Sequence, residues 1–152
     1  MFVVEISNRQ NLIDLDLQQI ETLAIRILKE EGIPSAQLSI AIVDDVTIHE
    51  LNRQYLNHDY PTDVLSFLSH VDSEKLEGEV VVSAETAGHV AEHFGWTAAN
   101  ELLLYVVHGV LHLVGYDDSQ HEPRQEMRSR EKFYLAQENL VISYDEQERV
   151  KR

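Results

Sequence analysis

The segment from Ala98 to Val114, AANELLLYVVHGVLHLV, constrains the fold of this chain more than any other part of the sequence. Apolar residues occupy almost every side of the helix that this segment predicts, and a helix without a polar face has to be covered all round. Thr97 precedes the segment as a candidate N-cap, and Gly115 follows it at the position where helices commonly end. The sequence therefore predicts one central, buried helix around which the other elements pack.

The rest of the chain alternates strand and helix patterns of ordinary length. Strands are predicted at FVVEI, QLSIAIV, VLSFL and EVVVS. Helices are predicted at residues 17–32, 46–56 and 84–94 and along a last segment that carries Met127, Glu131 and Leu135, with Asp16, Asp45 and Ser83 as N-caps of the first three. The order β-α-β-α-β-β-α-α-α predicts a single α+β domain with one small, mainly four-stranded sheet and about five helices.

Two boundaries near the C-terminus are less sharply defined by the sequence. Ser119 with Glu122 forms a capping-box pattern for the last helix, whereas Pro123 favours a slightly later first turn. The polar segment 139–152 is predicted to be a loosely attached tail, so the domain is expected to span residues 1–138.

Composition limits what the chain can bind. It has no cysteine, so a bound metal ion would need histidine, aspartate, glutamate or water as ligands. A formal net charge of −15 argues against a broad basic face that wraps nucleic acid, and any RNA contact is expected to be local. Four basic residues cluster at 124–132, where they form either such a contact or a solvated helix face. Neither a membrane-spanning run nor an export signal is recognisable, which predicts a cytoplasmic protein with no membrane partner.

Two histidine pairs have the spacing that places both rings on one face of a helix. His89 and His93 lie on a helix with polar neighbours, where solvent can satisfy them. His108 and His112 lie on the central apolar helix, and buried imidazoles need partners. Hydrogen bonds to carboxylates or carbonyls would satisfy the second pair, as would a metal ion.

Features around His108 and His112 favour the metal. Gly115 lets the chain turn back, and Asp118 follows His112 by six residues, the spacing at which metzincin-like sites place a third ligand. Two histidines and a carboxylate form an established zinc set, although non-haem iron sites share it. Gly109 stands where zincin proteases carry their glutamate base, which argues against peptide hydrolysis. Its missing side chain would open space for a substrate, or serve close packing.

Three motifs in the order LNRQYLNHDYPTDVLSF, GEVVVS and HGVLHLVGYDD resemble the bacterial YbeY family of metal-dependent, single-strand-specific endoribonucleases. The resemblance covers roughly residues 3–138. It implies a small α+β fold and a zinc ion, with His108 and His112 as ligands. It further implies a role in rRNA maturation, including the 3′ end of 16S rRNA, and in ribosome quality control. Single-stranded RNA and the ribosome or its proteins are the partners implied, and DNA is not expected.

The chain departs from the family pattern at two positions. Asp118 stands where the family has its third ligand histidine, and Leu56 stands where the family usually has an arginine in the loop motif. Asp118 is expected to serve as the third ligand, with His121 as the alternative. If the departures remove catalysis, the chain would instead be a ribosome-assembly factor that binds without cutting.

The residues that would handle substrate are less clearly indicated. No side chain stands out as the general base, and Glu79 is a weak candidate. The acidic surface would leave RNA held by a short groove, and Arg53, Arg124 and Arg128 are the candidates for contacting RNA there.

Overall fold

The computed structural model describes residues 1–142, and within them it confirms the α+β architecture. The elements in chain order are β1 (Phe2–Asn8), α1 (Leu17–Glu30), β2 (Ala36–Val43), α2 (Asp45–Leu56), β3 (Val64–Val71), β4 (Leu76–Ser83), α3 (Ala84–Phe94), α4 (Ala98–Leu113) and α5 (His121–Ala136). Among these residues no helix combines the length and the apolar character needed to cross a membrane.

The four strands form one mixed sheet in the order β1-β2-β4-β3. β1, β2 and β4 are parallel, and β3 pairs antiparallel with β4 at one edge. Val64 at the start of β3 pairs with Val82 near the end of β4. The loop that precedes β3 therefore lies beside the carboxyl-terminal ends of the parallel strands.

Helices cover the two faces of the sheet unequally. Val80 and Val82 belong to the main core with residues of α1, α3, α4 and α5, whereas Val81 packs against Ile48 of α2 on the opposite face. Alternation along β4 therefore assigns even-numbered side chains to the face of α4 and odd-numbered ones to the face of α2. Almost the whole of α4 is buried, as its sequence predicts.

Most helix ends are capped as predicted, and one prediction was wrong. Asp16, Ser83 and Thr97 each accept a hydrogen bond from a backbone N–H in the first turn of their helix. For α2 the cap is Asp44, whose Oδ1 accepts from Thr47 N at 2.8 Å, and not Asp45. The Asp45 carboxylate instead accepts from the hydroxyls of Ser83 and Thr86, which ties α2 to the start of α3.

Hydrogen bonds define the start of the last helix, and core packing shows how the segment after it is attached. Ser119 bonds to Asp117 instead of capping α5, which begins at His121 with Pro123 in its first turn. Leu140 and Ile142 pack against the main core, so the first residues of the predicted tail are attached to the domain. The rest of that tail, 143–152, lies outside the described residues.

Candidate metal centre

α4 and the turn after it bring the two histidines and the aspartate together. α4 ends at Leu113, Gly115 adopts φ +110°, and the chain then reverses toward the helix. Few residues other than glycine adopt such a φ, so Gly115 is what allows the reversal. The reversal carries the Asp118 carboxylate back to the rings of α4.

His108, His112 and Asp118 form the one group of potential ligands that could hold a metal ion among the described residues, and their ligand atoms all lie within 4.8 Å of one another. The two Nε2 atoms are 3.0 Å apart. Asp118 Oδ2 lies 3.3 Å from His108 Nε2 and 3.6 Å from His112 Nε2. The three donor atoms thus converge on one point.

The opposite ring nitrogen of each histidine is fixed by an acceptor. His108 Nδ1 donates to Glu131 Oε2 at 3.0 Å, and His112 Nδ1 donates to the carbonyl of Tyr116 at 3.1 Å. With protons held at both Nδ1 atoms, the neutral rings present lone pairs at both Nε2 atoms. These lone pairs face a carboxylate oxygen, and a cation at the point where they meet would satisfy all three atoms.

The charged groups of the site also favour a cation at this point. Although burial opposes a charged ring, the carboxylates of Asp118 and Glu131 raise the pKa of His108 to about 9, with a smaller contribution from Asp63. Hydrogen bonds from His108 and His112 hold the pKa of Asp118 well below its usual range. The site therefore favours positive charge, which a proton or a metal ion can supply.

A polar network braces the turn that carries Asp118. The Tyr116 hydroxyl donates to Glu31 Oε1 at 2.7 Å, and Arg130 of α5 donates to Glu31 Oε2 at 2.7 Å. Tyr134 also donates to Glu31. Burial and the Glu31 carboxylate raise the pKa of Tyr116 to about 12, so Tyr116 remains a donor at neutral pH. The end of α1, helix α5 and the turn are thereby joined beside the candidate metal centre.

A small cleft of about 50 Å³ opens beside the cluster. Its lining residues come from the loop before β3, from α4, from the turn and from α5: Asp63, Leu104, Tyr105, His108, Asp118, Arg128 and Glu131. The volume suits a water-sized ligand and is too small for a nucleotide. A larger substrate would have to approach from the open side of the cleft.

The three arginines predicted to contact substrate lie in different settings. Arg124 Nε donates to the carbonyl of Asp118 at 3.0 Å. Arg128 donates to both carboxylate oxygens of Glu131, at 3.1 and 3.0 Å, and its side chain is largely buried. Arg53 is exposed on α2 and pairs with Glu50. Two of the three therefore adjoin the metal centre, where they hold the residues around it.

Other candidate residues lie outside the cluster. Glu79 is exposed on β4, and its odd-numbered position places it on the face opposite α4. His121, the alternative third ligand, is the first residue of α5 and is not part of the group of three. His89 and His93 are exposed on α3, also outside that group.

Gly109 packs closely against the sheet. A Cβ at this position would lie 2.5 Å from Val80 Cγ1, 3.1 Å from Val64 Cγ2 and 3.2 Å from Ser66 Oγ. Ser66 also donates from Oγ to the Gly109 carbonyl at 2.8 Å. Of the two roles that the sequence left open, close packing is the one that the structure supports.

Glu131 was missed as a site residue by sequence reasoning. It is completely buried on α5 and contacts both His108 and Arg128. Met127 and Leu135, four residues before and after it, are buried on the same face. A carboxylate within an apolar stripe was a signal that a buried partner existed, but the sequence alone could not identify that partner.

Comparisons with known proteins find relatives of this chain. Residues 5–139 match the family model described as Endoribonuclease YbeY. The Endoribonuclease YbeY of Rhodopirellula baltica is 47% identical over 110 residues, which cover 71% of this chain and 57% of that protein, so the match spans little more than half of this relative. The proteins of the same name from Salinibacter ruber and Syntrophotalea carbinolica are 39% and 38% identical, with 80% and 86% of this chain and 83% and 92% of theirs covered.

A solved structure shows the same fold. The solution structure of TM1509 from Thermotoga maritima aligns with a TM-score of 0.59 and 25% identity over 90% of this chain and 92% of that one. The part of this chain that matches the family model spans nearly all of the described residues, and both histidines, Asp118 and Glu131 lie within it. This chain belongs to the YbeY endoribonuclease family.

Proposed function

We propose that this chain is a zinc-dependent endoribonuclease that cuts single-stranded RNA, with residues 1–138 as the catalytic domain. The observation that carries the proposal is the convergence of two Nε2 lone pairs and one carboxylate oxygen within 4.8 Å, in a chain that matches the endoribonuclease family over residues 5–139. The substrate would be ribosomal RNA, at the 3′ end of 16S rRNA. The setting would be rRNA maturation and quality control beside the ribosome in the cytoplasm.

The donor set fits a zinc ion. His108, His112 and Asp118 would hold it, and three protein ligands are the usual number for a catalytic zinc. When bound, zinc would lower the pKa of a water molecule and neutralise charge on a phosphodiester. The residues of the chain keep the site in shape: Glu131 and the Tyr116 carbonyl orient the two rings, and Arg124 holds the Asp118 carbonyl.

Charge supports a short contact with a single strand. The chain carries 12 basic and 27 acidic residues, so it lacks the cations that a long duplex contact requires. Arg124 and Arg128 adjoin the metal centre, and Arg53 lies on α2, which leads into the loop before β3. These three are the cations assigned here to a local phosphate contact.

Metal content tests the proposed ligand set. The parent chain is expected to hold about one zinc ion per molecule, since the set supplies one complete catalytic site. Asp118→Ala should hold less zinc, and His121→Ala should hold as much as the parent. Mass spectrometry of the purified proteins measures both. Loss of zinc from His121→Ala, with Asp118→Ala unaffected, would assign the third ligand to His121.

RNA cleavage tests the activity. The zinc-loaded parent should cut a labelled single-stranded RNA and leave a duplex of the same sequence and single-stranded DNA intact. His108→Ala should abolish the cut, whereas His89→Ala, which removes an exposed histidine of the other pair, should cut like the parent. Undiminished cleavage by metal-free His108→Ala would overturn this mechanism.

The residue at position 56 favours a second candidate function. Leu56 is exposed at the end of α2, where the family usually has an arginine, so a cation is missing beside the loop. A chain weakened in this way would act as a ribosome-assembly factor that binds without cutting. In that case His112→Ala should associate with ribosomes as strongly as the parent, and neither should cleave RNA.

A further inference from the structure

Exposed aromatic rings cluster at the end of α2 and in the loop that follows it. Tyr55 is 62% exposed and Tyr60 is 53% exposed, although aromatic side chains usually bury most of their surface. The rings of His58 and Tyr60 are stacked, with centroids 5.4 Å apart and planes 11° apart. Tyr55 packs edge-to-face on Phe67 of β3, on the side of the sheet that α2 covers. His58 and Tyr60, which lie in the loop itself, are therefore called the aromatic platform below.

The platform is held in place by the backbone beneath it. Asn52 is buried, and its Nδ2 donates to the Tyr60 carbonyl at 2.9 Å. His58 N donates to the Asn52 carbonyl at 3.2 Å, and Asn57 adopts the left-handed conformation that ends α2. The Tyr60 hydroxyl lies 3.2 Å from His58 Nδ1, so the two rings also hold each other. The rings are therefore preorganised, which reduces the entropy lost when a ligand binds.

The platform lies close to the metal centre along the chain. Asp63, three residues after Tyr60, lines the cleft with His108 and Asp118. An extended chain advances at most ~3.6 Å per residue, so the backbone of Tyr60 lies within about 11 Å of that of Asp63. That span is comparable to a few nucleotides of a single strand, which rise ~3.4 Å each when stacked.

The surface around the platform has few cations with which to hold RNA phosphates. The chain has a net charge of −15, Arg53 is paired with Glu50, and Leu56 is uncharged. Base stacking on aromatic rings needs no net positive charge and tolerates any base. Exposed, preorganised rings beside the cleft of a nuclease therefore fit unpaired nucleobases better than phosphates.

We propose that the aromatic platform binds unpaired nucleobases of the RNA next to the position that is cut. This inference rests on the proposed endoribonuclease function and adds the subsite by which an acidic chain holds its substrate. Tyr60, whose carbonyl accepts from Asn52 Nδ2 and whose ring stacks on His58, is the main stacking residue. A duplex cannot use the platform, because its bases are already stacked on one another.

Binding of a labelled single-stranded RNA by the full, metal-free chain tests the platform directly. Tyr60→Leu should weaken binding about tenfold, the order expected for one stacked base. Tyr60→Phe and Tyr60→Trp keep a ring and should bind like the parent. Phe133→Leu, which removes a similarly exposed ring from α5, serves as the matched control and should leave binding unchanged. Fluorescence anisotropy measures all five proteins.

Two further measurements separate stacking from charge. The ratio of parent to Tyr60→Leu affinity should stay constant between low and high salt, because stacking releases no counterions. An abasic strand of the same length should bind the parent and Tyr60→Leu equally, since it offers no base to stack. A Tyr60→Leu effect that persists on the abasic strand would overturn the inference, because the residue would then be contacting the backbone.

The outcomes also separate this inference from the proposed function. If the parent binds RNA but does not cut it with zinc present, the nuclease proposal fails, and the effect of Tyr60→Leu on binding still supports the platform. If the parent cuts RNA and Tyr60→Leu binds and cuts equally well, the platform is overturned while the nuclease stands. In that second case the exposed rings would be assigned to contact with a protein partner instead of RNA.

Discussion

At the scale of single residues, the metal centre depends on what holds the far side of each histidine ring. Two acceptors of different kinds do so: a buried carboxylate at His108 and a backbone carbonyl at His112. Only the first can be removed by substitution. Because a charged acceptor makes the imidazole more basic than a neutral one does, Glu131 should strengthen the His108 bond to a metal as well as orient the ring.

Replacing Glu131 with glutamine should therefore lower zinc affinity. An amide is a weaker acceptor than a carboxylate, and losses of such supporting partners typically cost 10–100-fold in metal affinity, so an effect of about that size is expected for Glu131→Gln. Competition with a chromophoric chelator measures the affinity, and the absorption spectrum of the Co²⁺ form reports ligand geometry without relying on activity.

Glu101→Gln provides a matched control. Glu101 is also a completely buried glutamate, but it accepts a hydrogen bond from Trp96 Nε1 and lies two helical turns before His108. The substitution Glu101→Gln should leave zinc affinity unchanged. If Glu131→Gln and the parent bind zinc equally well, Glu131 does not support His108 as a ligand, and its role is to hold Arg128.

At the scale of secondary-structure elements, the contact between α4 and the β3–β4 pair sets the position of the histidines. Gly109 lies between them and lets the helix approach Val64 and Val80. Glycine inside a helix costs about 1 kcal/mol relative to alanine, so the close approach is made at the expense of some helix stability.

Two glycine-to-alanine substitutions should have opposite effects on stability. In Gly109→Ala the new methyl meets Val80 Cγ1 at 2.5 Å, and overpacking of this kind costs about 1–3 kcal/mol. In Gly88→Ala, within α3, nothing lies within 4 Å of the new methyl, so the gain in helix propensity of about 0.5–1 kcal/mol should appear in full. Urea unfolding gives both values. Equal stability of Gly109→Ala and the parent would show that α4 can move away from the sheet without cost.

The elements themselves were largely predictable from sequence, because caps and hydrophobic periodicity are local signals. All four strands and all five helices of residues 1–142 occur in the predicted order, although β3 ends three residues later and β4 begins three residues earlier than predicted. The misassigned cap of α2 shows the limit: Asp44 and Asp45 are equivalent as sequence, and the hydroxyls of Ser83 and Thr86, some forty residues away, occupy Asp45. Contacts between distant segments therefore determined which of the two aspartates caps α2.

At the scale of the whole molecule, the candidate site also divides into a part set by local sequence, which was predictable, and a part set by contacts between distant segments, which was not. His108, His112 and Asp118 lie within eleven residues, so helix spacing and one glycine turn were enough to suggest that they meet. Glu131, Asp63 and Glu31 come from separate elements, and their contacts with this segment depend on how those elements pack around α4. Spacing cannot supply that information.

The concentration of carboxylates around His108 should make the stability of the whole fold depend on pH when no metal is bound. Asp118 from the turn, Glu131 from α5 and Asp63 from the loop before β3 all face this ring, with Arg128 as the opposing cation. The pKa of His108 is about 9 in the folded chain, against an ordinary value of 6.5. The folded protein thus keeps a proton that the unfolded chain releases between those two values.

That retained proton favours folding below pH 6.5, and the contribution is lost as the pH rises through about 9. At about 1.4 kcal/mol per pKa unit the loss is at most about 3.5 kcal/mol. Urea unfolding in the presence of a chelator, at several pH values across this range, measures it. The zinc-loaded chain is the control and should show no such fall, because a metal ion on His108 Nε2 takes the place of the proton. Constant stability of the metal-free chain across the range would contradict the charge balance assigned to this site.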